Sequence, residues 1–358
     1  MKHHGSRRTV LIVLSIFFLL ACQVTAPEVL MRPSSSTAAS ASMVTPESTL
    51  TLIPSPSPTE TQTSAPTATP SPTSTPSPTV TPTTAPSTRR VVIVSIDGLR
   101  PDAIVPAQMV HLITLMQNGA FSLDAQTVFP SVTLAAHASM LSGLCPSKHG
   151  ILWNEYLPEW GYLQDTGLFD LAHAAGLQTV MYVGVQKLSQ VINPAGLDRF
   201  VFIDDRDTEL MGSVVANFPE DFGILFVHLL STDIAGHDSG WMSQHQLNTI
   251  RLADEALGML LAALDTRNLR GETLIIVTSD HGGHGGEHGT EMREDMTIPW
   301  IAAGPGISPK TLAGPVHTMD TAATAAFVLG LPIPAEWDGV PVYEGFGLPV
   351  EKQSMQCE

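Results

Sequence analysis

The 358-residue chain holds only three cysteines, Cys22, Cys145 and Cys357. Cys145 and Cys357 could pair in an oxidising compartment, but two cysteines make no disulfide framework, and there is no cysteine cluster to hold a metal. Basic residues are scarce as well. Setting aside Lys2, Arg7, Arg8 and Arg32, and Glu28, Glu47 and Glu60, leaves thirteen Lys/Arg against thirty-one Asp/Glu for the remainder. That balance argues against a grip on a long polyanion such as duplex DNA, so no nucleic-acid polymer is expected as a partner. A small anionic substrate fits only where something else, such as metal ions, supplies local positive charge. The apolar run Val10 to Ala21 is short for a bilayer span, which needs roughly twenty residues.

That run follows Lys2, Arg7 and Arg8 and reads as the core of a signal peptide over 1–22. It closes in Leu19-Leu20-Ala21-Cys22, which resembles a bacterial lipobox with Leu20 where a smaller residue is usual, and implies lipidation at Cys22. Residues 23–88 are mostly Ser, Thr, Pro and Ala, with repeats such as Pro54-Ser55-Pro56-Ser57-Pro58-Thr59. This composition offers too little apolar surface to offset the entropy of ordering, and its prolines favour extended segments, so a disordered stalk is expected. The expected organisation is an exported protein, at the surface or in the periplasm of a bacterium and lipid-anchored to its membrane. A folded domain over 89–349 and a tail over 350–358 follow the stalk.

Within that domain, Arg90 to Ile96 is a nearly continuous apolar, β-rich run ending at Asp97-Gly98. Such a run reads as a strand buried on both faces. Comparable runs recur at Thr179–Val183, Gly223–Leu229 and Thr273–Thr278, and helical patterns lie at Ala107–Asn118, Gly167–Ala175 and Ser243–Leu264. The alternation predicts an α/β domain with a mostly parallel sheet and helices on both faces. Functional groups in such sheets gather just past the C-terminal ends of the strands. Asp97 follows the first strand directly, Asp233 and His237 come shortly after Leu229, and Asp280 and His281 follow Thr278. Three strand ends thus deliver Asp or His to one rim, a donor set that favours zinc or a similar divalent cation. The glycine-rich stretch Gly282 to Gly289 adds His284 and His288. His137 and His149 read as structural histidines.

Asp97-Gly98, Phe129-Pro130-Ser131-Val132-Thr133, Asp233 with His237, Ser279-Asp280-His281-Gly282 and His288-Gly289 occur in the order found in the alkaline phosphatase superfamily. The segment from Thr133 through His137 to Gly143-Leu144-Cys145-Pro146-Ser147-Lys148-His149-Gly150-Ile151 resembles its nucleotide pyrophosphatase/phosphodiesterase branch. Asp320-Thr321-Ala322-Ala323-Thr324 and Gly330-Leu331-Pro332 resemble the superfamily's closing helix and turn, so the likeness spans about Arg90 to Tyr343. The resemblance implies an alkaline-phosphatase-like fold with two divalent metal ions, zinc by the donor set. It implies Thr133 as a nucleophile forming a phospho-threonine intermediate. One metal would take Asp97, Asp280, His281 and Thr133, and the other Asp233, His237 and His288. Asn154 would hydrogen-bond a phosphate oxygen. His288 is preferred to His284 because Asp295-Met296, Pro299 and Gly304-Pro305 follow it as they follow the family's histidine.

The implied activity is hydrolysis of a phosphodiester or pyrophosphate bond in a small phosphodiester or nucleotide. No arginine-rich segment stands beside Thr133 to neutralise a monoester dianion, which leans toward diesters. A phosphomonoesterase or phosphonate hydrolase on the same scaffold is the alternative, and a non-catalytic surface lipoprotein a further one. A sulfatase would need a C/S-x-P-x-R run, and Ser131-Val132-Thr133-Leu134-Ala135 lacks both the proline and the arginine. Trp153, Tyr156, Trp160 and Tyr162 either line a base-stacking pocket or pack a loop onto the domain.

Overall fold

The computed structural model describes residues 88–350 and 352–357; the expected signal peptide with Cys22, and the stalk up to residue 87, lie outside the described residues. The described part is built around an eight-stranded sheet. In chain order the strands are β1 (Arg90–Ile96), β2 (Ala120–Gln126), β3 (Gln178–Val183), β4 (Arg199–Phe202), β5 (Phe222–Leu229), β6 (Thr273–Thr278), β7 (Thr297–Ala303) and β8 (Lys310–Thr311). Their spatial order is β4-β3-β5-β1-β6-β7-β2-β8. Only β7 runs against its neighbours, pairing antiparallel with both β6 and β2.

The apolar strands bury both faces, and pleating divides their side chains between two cores. Val91 and Ile93 of β1 enter one core, while Val92, Val94 and Ile96 enter the other. The first core is covered by α2 (Thr133–Ser142), α4 (Leu168–Ala174) and α9 (Asp320–Val328). The second is covered by α1 (Val110–Asn118), α5 (Asp207–Ala216) and α7 (Gln244–Thr266). The remaining helices, α3 (Pro146–His149), α6 (Ser231–Ser239) and α8 (Arg293–Met296), lie between them in sequence. This is the α/β architecture the periodicity implies.

Element limits follow local chemistry. Helix α7 begins where Ser243 Oγ accepts a hydrogen bond from Gln246 N, an N-cap. Helix α1 starts at Val110 rather than Ala107, because Gln108 sits at φ 57, a left-handed conformation that a helix cannot include. Asp254 of α7 then caps α1, accepting from His111 N and Leu112 N at 2.9 Å each. The tail is not separate from the domain. Ser354 is buried, its Oγ donates to Asp320 Oδ2 at 2.7 Å, and Cys357 is disulfide-bonded to Cys145.

A buried pair of segments fixes the helix that follows β5. Asp207 Oδ1 accepts from Ser231 N at 3.1 Å, and Asp207 N donates to Ser231 Oγ at 3.3 Å, joining the starts of α5 and α6. Asp207 Oδ2 is buried without a hydrogen-bond partner. Burial, more than any neighbour, raises this carboxyl from 3.8 to about 6. A folded-state pKa above the unfolded one contributes stability that is present below pH 3.8 and lost as the pH rises through 6. Relative to Asp207→Asn, the wild type should therefore lose roughly 2–3 kcal/mol of unfolding free energy between about pH 4 and pH 7. Denaturant curves for the two proteins at both pH values measure this, and a constant gap would contradict it.

Candidate active site

Parallel pairing decides which loops meet. Strand β1 lies between β5 and β6, with Ile96 opposite Leu229 and Ser95 opposite Thr278. The three chains therefore leave the sheet side by side and in the same direction. Asp97 comes off β1, Asp233 and His237 sit one turn apart on α6 after β5, and Asp280-His281 come off β6. Asp97, Asp280 and His281 are fully buried and Asp233 nearly so.

The glycine-rich loop folds back over this edge. Gly282 N and Gly283 N donate to Asp295 O and Glu294 O, both at 2.8 Å, and His284 and Glu287 exchange backbone bonds at 2.9 Å. Trp241 lies against it, with Nε1 donating to Gly98 O at 2.9 Å. A Cβ on Gly283 would stand 2.1 Å from the Trp241 ring, so only glycine permits this approach. The loop brings His288 to the rim, where its Nδ1 bonds Ser131 O at 2.9 Å. Its ring stacks on His281 with centroids 3.7 Å apart. His284 turns elsewhere, to Asp295 Oδ1 at 2.7 Å.

Two groups of donor atoms result: Asp97, Asp280 and His281, and Asp233, His281 and His288, each with its donor atoms within 4.8 Å of one another. His281 thus belongs to both. His281 Nε2 lies 3.3 Å from Asp97 Oδ1 and 3.3 Å from Asp280 Oδ2. Asp233 Oδ1 lies 3.5 Å from His237 Nε2 and 3.7 Å from His288 Nε2. Despite this crowding, Asp97 Oδ1, Asp233 Oδ1, Asp280 Oδ2 and His281 Nε2 are buried atoms without a hydrogen-bond partner. Such atoms are costly unless something absent from the protein satisfies them.

The electrostatics agree. Burial raises the Asp97 carboxyl well above the ordinary range, and the charges of Asp280 and Asp233 push it further. Asp233 is raised by burial too. Burial also works against the charge of Asp280, but His281, His137 and His228 hold that carboxyl low. Burial, followed by His281, lowers the His288 imidazole to about 3, leaving a neutral ring suited to ligation. The pocket thus carries more negative charge than the protein neutralises, and hard and borderline donors face inward: the residues fit divalent cations.

Thr133 is buried as the first residue of α2, with Val132 at the N-cap. Its turn is held against the carboxylates by His137, whose Nδ1 bonds Thr133 O at 2.8 Å and lies 3.5 Å from Asp280 Oδ2. Ser131 Oγ donates to Thr290 O at 2.7 Å, so the segment before Thr133 is fastened to the His288 loop. Asn154 Oδ1 accepts from Leu134 N at 3.1 Å, which sets Asn154 at the start of α2. That end of the helix presents free N–H groups and the positive pole of the helix dipole.

His137 spends its other nitrogen on Ser95 Oγ at 2.8 Å, and His149 bonds Ser139 Oγ and Ile151 N, so both are satisfied structurally. Trp153 is partly buried against the core, whereas Tyr156, Trp160 and Tyr162 are exposed. Sequence reasoning missed three residues here. His228, on apolar β5, places Nε2 2.9 Å from Asp97 Oδ2 and orients that carboxylate. A histidine inside FGILFVHL is the signal that could have found it. Trp241 supports the glycine loop. Lys187, four residues past the end of β3, donates to Asn154 Oδ1 at 2.9 Å; the strand-end rule that pointed to Asp97, Asp233 and Asp280 applies to it equally.

Comparisons with known proteins identify the family and the fold. The family model described as type I phosphodiesterase/nucleotide pyrophosphatase matches residues 91–168 and 183–299, more than half of the chain. A human GPI ethanolamine phosphate transferase 2 catalytic subunit is 28% identical over 284 residues, covering 73% of this chain and 28% of that protein. Ectonucleotide pyrophosphatase/phosphodiesterase family member 3 of Rattus norvegicus is 26% identical over 214 residues, covering 54% and 24%. The chain thus spans about a quarter of the length of these relatives. Murine ectonucleotide pyrophosphatase/phosphodiesterase 5 superposes with a TM-score of 0.62 at 16% identity, covering 72% of this chain and 99% of that one. A phosphonate monoester hydrolase from Silicibacter pomeroyi gives 0.58 at 16%, covering 74% and 78%. The chain belongs to the type I phosphodiesterase/nucleotide pyrophosphatase family, within the alkaline phosphatase superfamily.

Proposed function

We propose that this chain hydrolyses phosphodiester or pyrophosphate bonds of small substrates, nucleotides among them, with Thr133 as nucleophile at a two-cation site. The observation that carries the reading is the set of four inward-facing buried atoms without partners, on Asp97, Asp233, Asp280 and His281. Asp97, Asp280 and His281 would hold one cation beside Thr133, and Asp233, His237 and His288 the other. Two divalent cations, zinc by the donor set, would neutralise these carboxylates, favour the deprotonated Thr133 hydroxyl and offset charge on the phosphoryl oxygens.

The chain's own residues would then act as follows. Thr133 Oγ1 attacks phosphorus while the bond to the leaving oxygen breaks, that oxygen keeping the electron pair and the hydroxyl proton passing to solvent. Water afterwards cleaves the phospho-threonine, and two inversions give net retention at phosphorus. The Asn154 amide, its carbonyl pinned by Leu134 N, is oriented to donate to a phosphoryl oxygen. His137 has both ring nitrogens engaged and serves to position rather than to move protons. Related proteins support the substrate class: one Bos taurus relative is a bis(5'-adenosyl)-triphosphatase, and a threonine-to-alanine variant of the murine neighbour is described as inactive and in complex with AMP.

Export, lipidation at Cys22 and a stalk over 23–88 belong to the same reading and rest on the sequence. The Cys145–Cys357 disulfide supports an oxidising compartment. Thr133→Ala should retain its zinc and lower turnover of bis(p-nitrophenyl) phosphate by roughly 10⁴-fold or more. Metal analysis with steady-state kinetics checks this, and an active variant would exclude Thr133 as nucleophile. Chelation should abolish turnover and lower the melting temperature by roughly 5–10 °C, because bound cations stabilise the folded state and their removal restores repulsion among the carboxylates. Added zinc should reverse both effects. A chelated protein with unchanged melting temperature and activity would refute the metal site.

A further inference from the structure

Lys187 stands on the short turn Gln186–Gln190 that leaves β3, partly buried. Its ammonium donates to Asn154 Oδ1 at 2.9 Å and forms no ion pair among the described residues. The same Asn154 oxygen accepts from Leu134 N, so two donors converge on it and the Asn154 amide N–H groups must point away from both. An ammonium has three donors and Asn154 takes one.

Charge balance shows what this lysine adds. In the two-cation reading, two dications against Asp97, Asp233 and Asp280 leave one positive charge at the binding stage, while Thr133 still holds its proton, enough to match the monoanionic phosphoryl group of a diester. Lys187 supplies a second, which matches the dianion of a monoester.

We propose that Lys187 is a specificity-determining residue: with the Asn154 amide it receives a non-bridging phosphoryl oxygen at the start of α2 and extends the substrate range to dianionic phosphate monoesters. The inference rests on the phosphoryl-transfer reading of the site and replaces the lean toward diesters alone. That lean came from the absence of basic residues beside Thr133 in sequence, whereas the neutralising charge arrives from another strand end.

The test compares the zinc-loaded full chain with Lys187→Met and Lys187→Arg on p-nitrophenyl phosphate and bis(p-nitrophenyl) phosphate, alongside calorimetric binding of inorganic phosphate. Lys187→Met should lower kcat/KM for the monoester by about 100-fold and for the diester by less than about 5-fold, and weaken phosphate binding by about tenfold or more. Lys187→Arg should restore most of the monoester rate, since the charge is kept. Equal losses on both substrates would make Lys187 only a positioning residue for Asn154, and unchanged phosphate binding would remove it from the site; either result overturns the proposal. A wild type that binds phosphate through Lys187 yet turns over neither ester would instead contradict the hydrolase reading.

Discussion

Asp97, Asp280 and Asp233 emerge from β1, β6 and the helix after β5, three consecutive positions in the sheet, and their buried carboxyls crowd into one space. Burial opposes each charge, and each charge opposes the others, so in the folded chain Asp97 and Asp233 hold their protons more tightly than ordinary carboxyls. Asp97, flanked on both sides, bears most of this conflict. The surroundings hold the carboxylates in place rather than relieve them: His228 fixes one oxygen of Asp97, Gly98 N donates to Asp280, and Trp241 braces the loops on either side. Proteins tolerate such repulsion where a ligand removes it. Much else in the molecule follows from that arrangement, including the glycine-rich cover and the fastening of the Thr133 segment to the His288 loop.

The sheet was legible because its central strands are nearly unbroken apolar runs, and a run buried on both faces has few other homes. Strands β1 and β6 fall where those runs lie, and Asp97, Asp233, Asp280 and His281 come together because parallel strands put their C-terminal ends on one rim. The other half of the sheet was illegible for equally physical reasons. Strand β7 is apolar but carries Pro299, which reads against a central strand, and β2 has mixed polarity and a register shift in its pairing, so neither shows a clean strand signal. The start of α1 depended on a left-handed Gln108 that no propensity reveals.

Within the site, residues close in sequence or just past a long strand were readable, and residues that act through tertiary contact were not. His228 looks like one polar interruption of a strand until Asp97 is seen beside it. Lys187 follows a strand that neighbours β5 rather than β1, and its proximity to Asn154 is visible only after the β3 and α2 loops are folded together. The consequence is general for charge-based inference: which substrate charge a pocket accepts depends on the sum over every strand end that faces it, not on the residues flanking the nucleophile. The relatives make the same point at larger scale. Solved structures described as a nucleotide pyrophosphatase/phosphodiesterase and a phosphonate monoester hydrolase share this fold, and one fold hosts different activities through the side chains placed on it.

The central claim is that the partnerless atoms of Asp97, Asp233, Asp280 and His281 face cations. Anomalous diffraction from crystals of the zinc-loaded protein, measured on either side of the zinc edge, tests it most directly. The account predicts two peaks, one bounded by Asp97, Asp280 and His281 with Thr133 beside it, and one bounded by Asp233, His237 and His288. Peaks confined to other parts of the molecule, or a rim in which these four atoms acquire partners from the protein and leave no peak, would contradict it.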